Sequence, residues 1–296
     1  MLVLQLAYSG DLDFVEELQE LRELLKKKRI IIGVVESLEG KTHIIKVMCD
    51  DLSYSDNTCN IINLYISNIL YKIVIEKYKE KELFEYLTDT YFFLKQDEIL
   101  EVEDDIMKVL NCQEGIGDEN FIYYSNKTNS IIEKIKDCIE ENREININGF
   151  ITFRMRELRK DIEDVIDKVV EKYMVEKEYK EFIRLLKYFV EIQECKVEEI
   201  NLIALPSGSY MVTDGYGKDI FPSFLSELSE CKIGIDANVE DIIISGLITN
   251  APKRIVIHKK EECKNKEFIN TILNVFGERV GFCEGCKSCS KINIKI

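Results

Sequence analysis

Proline occurs three times in this chain and histidine twice, and no glycine–serine tract is long enough to serve as a spacer. Without such linkers, its parts are expected to pack directly on one another. Histidine chemistry is scarce, because His43 and His258 both lie inside strand-like runs where a core or edge position explains them better than catalysis. The chain also lacks a P-loop, a dinucleotide glycine fingerprint, a nucleophile elbow and a zinc-protease motif. Gly208, Gly215 and Gly217 read as hairpin turns, not a phosphate cradle. No catalytic motif is found, and the reading leans away from an enzyme. The start, MLVLQLAYSG, carries no basic region before its apolar run, so it does not read as a signal peptide. The most apolar later run, residues 61–78, is broken by Asn63, Asn68 and Lys72, which fits an amphipathic helix better than a membrane span.

What the chain does have is acidity and apolar content. Of its 296 residues, 46% are hydrophobic and 32% charged, which describes a globular protein able to bury a core. A net charge of −15 disfavours generic nucleic-acid or anionic-membrane binding, and protein partners are expected instead. With no export signal, the ten cysteines are expected as reduced thiols in a cytoplasmic protein.

The pattern predicts a mixed α/β fold that is mainly helical. Residues 1–57 read as a small β-α-β-β unit: LVLQLA is a strand, DLDFVEELQELRELLKKKR a helix, and two strands join across Glu39-Gly40. Residues 58–195 read as nearly all helical, interrupted most clearly at GIGDEN. There Met155, Leu158, Ile162, Val165, Val169 and Tyr173 form one stripe, continued by Tyr179, Phe182, Leu186 and Phe189. Residues 196–296 read as an α/β unit with a cysteine-rich tail. It starts with a hairpin, and then NVEDIIISGLIT is a helix with Asn238 as a candidate cap. KRIVIH, a helix capped by Asn265 and stopped by Gly277, and RVGFC complete a parallel β-α-β.

The run GFITFRMRELRKDIEDVIDKVVEKYMVEKEYKEFIRLLKYFVEIQE resembles the YtxC-like family of sporulation proteins from endospore-forming Firmicutes. INLIALPSGSYMVTDGYGKDI and EDIIISGLITNAPKRIVIH are similar to that family's later segments, so the resemblance covers roughly residues 60–280. It implies a cytoplasmic protein linked by name to sporulation, with no established biochemical activity and no catalytic residues to carry over. The reading favoured here is a non-enzymatic regulatory or structural factor.

Two clusters could carry chemistry. In GFCEGCKSCS, Cys283, Cys286 and Cys289 are spaced so that a turn eased by Gly285 can aim thiolates at one zinc ion or an iron–sulfur cluster. A fourth cysteine at ferredoxin spacing is missing, since Asn293 stands there. If 254–258 and 279–283 are parallel strands, Cys263 and His258 lie at the same sheet edge as Cys283. The expected ligand set is therefore Cys263, Cys283, Cys286 and Cys289, with His258 as the substitute. Such an edge could also serve a redox or metal-dependent enzyme. The remaining cysteines, Cys231 among them, are scattered and read as small hydrophobes. The second cluster is Arg154, Arg156 and Arg159, whose planar forks suit an anion. Asp161 and Asp164 are the intramolecular partners that would otherwise neutralise them.

Overall fold

Alternating apolar residues in LVLQLAYS form strand β1 (Leu2–Ser9), with Leu4, Leu6 and Tyr8 turned into the core. The computed structural model describes residues 1–10, 12, 14–113, 119–230, 238–286 and 289. Cys231 and the first four residues of GIGDEN lie outside the described residues. The protein is mixed α/β and mostly helical, with two four-stranded mixed sheets. It divides into two units, Met1–Tyr173 and Met174–Ile296, and the boundary falls inside a long helix.

In the first unit, α1 (Val15–Lys27) has Glu16 and Glu17 in its first turn and Lys26 and Lys27 in its last, matching the helix dipole. It buries Leu18, Leu21 and Leu25. Strands β2 (Ile32–Glu39) and β3 (Thr42–Cys49) form the expected hairpin, turning at Gly40 with φ 67°. Helix α2 (Asp56–Tyr78) starts at Ser55, whose side chain accepts from the Thr58 N–H, and passes through one π-turn (Lys79–Leu83) into α3 (Phe84–Thr90). Among the described residues, Asp56–Thr90 is the one helix long and apolar enough to cross a membrane, and half of its apolar window is buried inside the protein. Helices α4 (Gln96–Leu110) and α5 (Phe121–Glu141) follow.

A short strand β4 (Glu144–Asn146) then interrupts the stretch expected to be helical. It pairs in parallel with β1, setting Ile145 beside Leu6 and giving the order β2-β3-β1-β4. Its three residues carry too little pattern to announce a strand. Pairing with the otherwise open β1 edge creates it.

Helix α6 (Ile147–Ile192) crosses between the units. Met155, Leu158, Ile162, Val165 and Val169 are buried as the stripe requires. The continuation differs: Tyr179, Phe182 and Phe189 are exposed, while Ile183 and Val190 are buried and Leu186 packs beside them. FIRLLKYFV is apolar nearly all round, so periodicity left two candidate faces and the core took the Ile183–Val190 one.

The second unit has strands β5 (Glu199–Ala204) and β6 (Tyr210–Asp214), then α7 (Phe221–Glu230), α8 (Val239–Asn250), β7 (Arg254–His258), α9 (Lys266–Phe276) and β8 (Val280–Phe282). Asn265 caps α9 by accepting from the Phe268 N–H at 3.1 Å. Asn238 stands at the start of α8 but its side chain makes no cap bond. The sheet order is β6-β5-β7-β8; β5, β7 and β8 are parallel and β6 is antiparallel to β5. From β5 to β7 to β8 the chain steps one way across the sheet, so right-handed crossovers put the helices on one face. On that face Ile200, Leu202, Val212, Ile255 and Ile257 pack against Phe224, Ile243, Leu247, Phe268 and Ile272. The opposite face carries polar side chains and forms an open cleft of about 510 Å³.

Candidate metal centre

Strand alternation decides which way His258 points. Ile255 and Ile257 enter the helix-covered core, so His258 emerges on the open face, where it remains buried. The Cys283 N–H donates to the Ile257 carbonyl at 2.9 Å, carrying the β7–β8 ladder one residue into the cysteine motif. The chain then turns at Gly285, with φ 127°, a conformation that suits glycine. The Gly285 N–H donates to Cys283 Sγ at 3.3 Å and the Cys289 N–H to Cys286 Sγ at 3.5 Å. Such donors favour sulfur in its anionic form.

The result is a four-donor group. His258 Nδ1 lies 3.3 Å from Cys289 Sγ and 3.5 Å from Cys286 Sγ. Cys289 Sγ lies 3.8 Å from Cys283 Sγ and 3.6 Å from Cys286 Sγ, and all four donor atoms fall within 4.8 Å of one another. Zinc–sulfur bonds of about 2.3 Å and zinc–nitrogen bonds of about 2.05 Å give tetrahedral S···S edges of about 3.8 Å and N···S edges of about 3.6 Å. The group can therefore hold a single metal ion such as zinc.

The other imidazole nitrogen is fixed from behind. His258 Nε2 lies 2.9 Å from Asn201 Oδ1, while Asn201 Nδ2 donates to the Asp214 carbonyl at 3.1 Å and to Glu199 Oε1 at 3.4 Å. With both ends of the amide committed, Oδ1 faces the ring, so Nε2 carries the proton and Nδ1 offers its lone pair to the thiols. Burial, partly opposed by Glu199, lowers the His258 pKa and keeps the ring neutral. Burial first, then the neighbouring Cys286 and Cys283 sulfurs, push the Cys289 thiol up to about 11. A bound cation reverses that tendency, because a coordinating thiol loses its proton.

Of the five ligands named from sequence, the structure gathers His258, Cys283, Cys286 and Cys289 and leaves Cys263 out. Lys259, at φ 52°, and a single turn over Lys260–Glu262 carry the loop to the helix-covered side. Cys263 packs there against the core, its sulfur 3.3 Å from the Tyr210 hydroxyl and donating to the Asn265 carbonyl at 3.2 Å. Asn201 and Glu199 were not foreseen. Their only signal was two polar residues alternating with Ile200 and Leu202 in β5.

The arginines lie in the first unit and are engaged differently from expectation. Arg154 pairs with Glu157 at 2.7 Å and Arg159 with Glu82 at 2.8 Å, while Arg156 is exposed. The expected partners serve lysines instead: Asp164 takes Lys127 at 2.7 Å, and Asp161 takes Lys134.

A model of the YtxC-like family matches residues 64–281. The chain belongs to the YtxC-like family. It is 24% identical over 233 residues to the uncharacterized protein YtxC of Bacillus subtilis (strain 168), a similarity covering 74% of this chain and 76% of that relative. The family match includes Asn201 and His258 and ends two residues before Cys283. No solved structure matches significantly.

Proposed function

We propose that this YtxC-like protein is a cytoplasmic, non-enzymatic regulatory or structural factor associated with sporulation, whose second unit is tied together by one zinc ion on His258, Cys283, Cys286 and Cys289. The observation that carries the metal reading is the agreement of four donor–donor distances, 3.3, 3.5, 3.6 and 3.8 Å, with the edges of a zinc tetrahedron. An iron–sulfur cluster spreads its ligands over several irons, so four donors within 4.8 Å favour a mononuclear ion. Four protein ligands also fill the coordination shell, which favours a structural role, since catalytic zinc keeps a position open. The sporulation and cytoplasmic assignments rest on family resemblance.

The rival reading, a redox or metal-dependent enzyme, is favoured by the open cleft, which has Cys283 and Cys286 in its wall. Anaerobic purification followed by elemental analysis tests the metal. One zinc per chain is expected, lost in Cys283→Ser and Cys286→Ser. Chelation should then loosen the second unit, read by hydrogen exchange at β7 and β8. Metal loss with unchanged protection would favour the enzyme reading, and metal-free, fully folded protein would overturn the zinc assignment.

A further inference from the structure

The last three turns of α6 present three sides. Ile183, Leu186 and Val190 turn into the core of the second unit, and Lys180, Arg184 and Lys187 make a second, cationic side that is exposed. The third side carries Phe182, Leu185, Tyr188, Phe189 and Ile192, each between 47% and 59% exposed. Among the described residues nothing closes it over. A helix apolar nearly all round is ordinarily a buried one, and the core of this unit covers only one of the two apolar sides. Contiguous apolar patches larger than a few hundred Å² mark interaction sites.

Spacing and area select a helix as the partner. Phe182, Leu185, Phe189 and Ile192 follow one another at intervals of three, four and three residues, the seam by which a helix packs along another of the same pattern. An aromatic side chain can bury about 150–250 Å², so three aromatic and two aliphatic groups, each about half open, offer about 500 Å² per chain. Two copies of this face would bury about 1,000 Å² together, the size at which an interface is specific and not an incidental contact.

Charge selects the arrangement. Glu178 and Glu181 stand one turn before Phe182 and Leu185 on the same side of the helix. An anionic membrane would be repelled by those carboxylates, and the cations that could attract it occupy a different side. A parallel helix pair would set each glutamate beside its own copy. In an antiparallel pair, Phe182 packs over the partner's Ile192 and Leu185 over the partner's Phe189. The two Glu178 side chains then stand about 27 Å apart along the axis and the two Glu181 about 18 Å. Both separations exceed the screening length of about 8 Å at physiological salt. We propose that two copies of this chain form an isologous antiparallel dimer through the Phe182–Ile192 face of α6.

Sedimentation of the full-length protein over a micromolar concentration series tests this. A monomer–dimer equilibrium is expected. Leu185→Lys and Phe189→Glu should each weaken it by about tenfold or more, because each buries an unpaired charge in the seam. Both side chains are exposed in the single chain, so each variant should keep the parent's circular dichroism. Lys187→Glu, on the cationic side of the same helix, should leave the dimer unchanged. Mixing the Leu185→Lys and Phe189→Glu chains should restore the dimer, since position 185 of one chain then meets position 189 of the other with opposite charge. A parallel pair would show no such recovery. The proposal is overturned by a parent that stays monomeric throughout the series or by a dimer that survives both seam variants. Capture of a monomeric parent on phosphatidylserine vesicles would assign the face to a membrane instead. Two folded variants that fail to recover on mixing would overturn the antiparallel register.

Discussion

Asn201 Oδ1 accepts the Nε2 proton of His258 at 2.9 Å and thereby turns Nδ1 toward three cysteine sulfurs. The amide itself is held by the Asp214 carbonyl, so the imidazole is aimed by the sheet's own backbone. Outer-shell partners of this kind typically contribute about 10–100-fold to metal affinity. Asn201→Leu is expected to weaken zinc binding within that range while leaving the ligands intact. Competition with a chromophoric chelator measures it, and an unchanged affinity would mean that His258 does not bind the ion.

Protonation gives a second expectation. In the metal-free protein, burial raises the Cys289 thiol from 9.0 to about 11. A group raised in the folded state lends stability below its unfolded value and loses that contribution as pH climbs toward the folded one. His258 is shifted the other way, below 6.5, so its contribution is present above that value and fades as pH falls. Chelator-treated protein should therefore show a stability plateau between about pH 6.5 and 9, falling on both sides. Zinc must displace the Cys289 proton, so its apparent affinity should rise with pH across the same plateau. Denaturation midpoints and chelator competition at stepped pH read both trends. A pH-independent affinity there would remove Cys289 from the ligand set.

The β-α-β arrangement that brings His258 near Cys283 was legible, because KRIVIH, the Asn265 cap, Gly277 and RVGFC each carry a local signal. Which side of that edge each donor occupies was not legible. Strand alternation puts His258 opposite Ile257, but the open face is known only once the helices are placed. Lys259, in its left-handed conformation, then sends Cys263 to the other side. Strand β4 was hidden for a related reason, since Ile145 gains its partner Leu6 from far along the chain. Local pattern announces elements, whereas shared faces and edges come from long-range pairing.

The arginines of α6 should separate by partner. Arg159 pairs with Glu82 at 2.8 Å and its charge opposes the upward shift of the Glu163 carboxyl, whereas Arg156 is exposed. Arg159→Glu would replace an attraction with repulsion and is expected to destabilise the first unit by about 1 kcal/mol, limited by solvent screening. Arg156→Glu should stay within about 0.5 kcal/mol of the parent. Urea unfolding compares them directly. If Arg156→Glu were the more damaging, the pairing scheme drawn here would be wrong.

Gly246 tests the packing beneath the metal-bearing sheet. It sits in α8 where Phe224 of α7 crosses, and a Cβ there would overlap the Phe224 ring. The ring is fully buried among Ile243, Leu247 and the sheet residues, so it has nowhere to retreat. In an open helix Gly→Ala is favourable by about 1 kcal/mol. Here the overlap outweighs that gain, and overpacking of this kind costs about 1–3 kcal/mol. Gly246→Ala is expected to lower the unfolding midpoint of the second unit, with Phe224→Leu in the same chain restoring part of the loss by opening space. Recovery in the double variant would locate the clash at this pair, and a stabilised Gly246→Ala single variant would show that α7 does not press on α8 here.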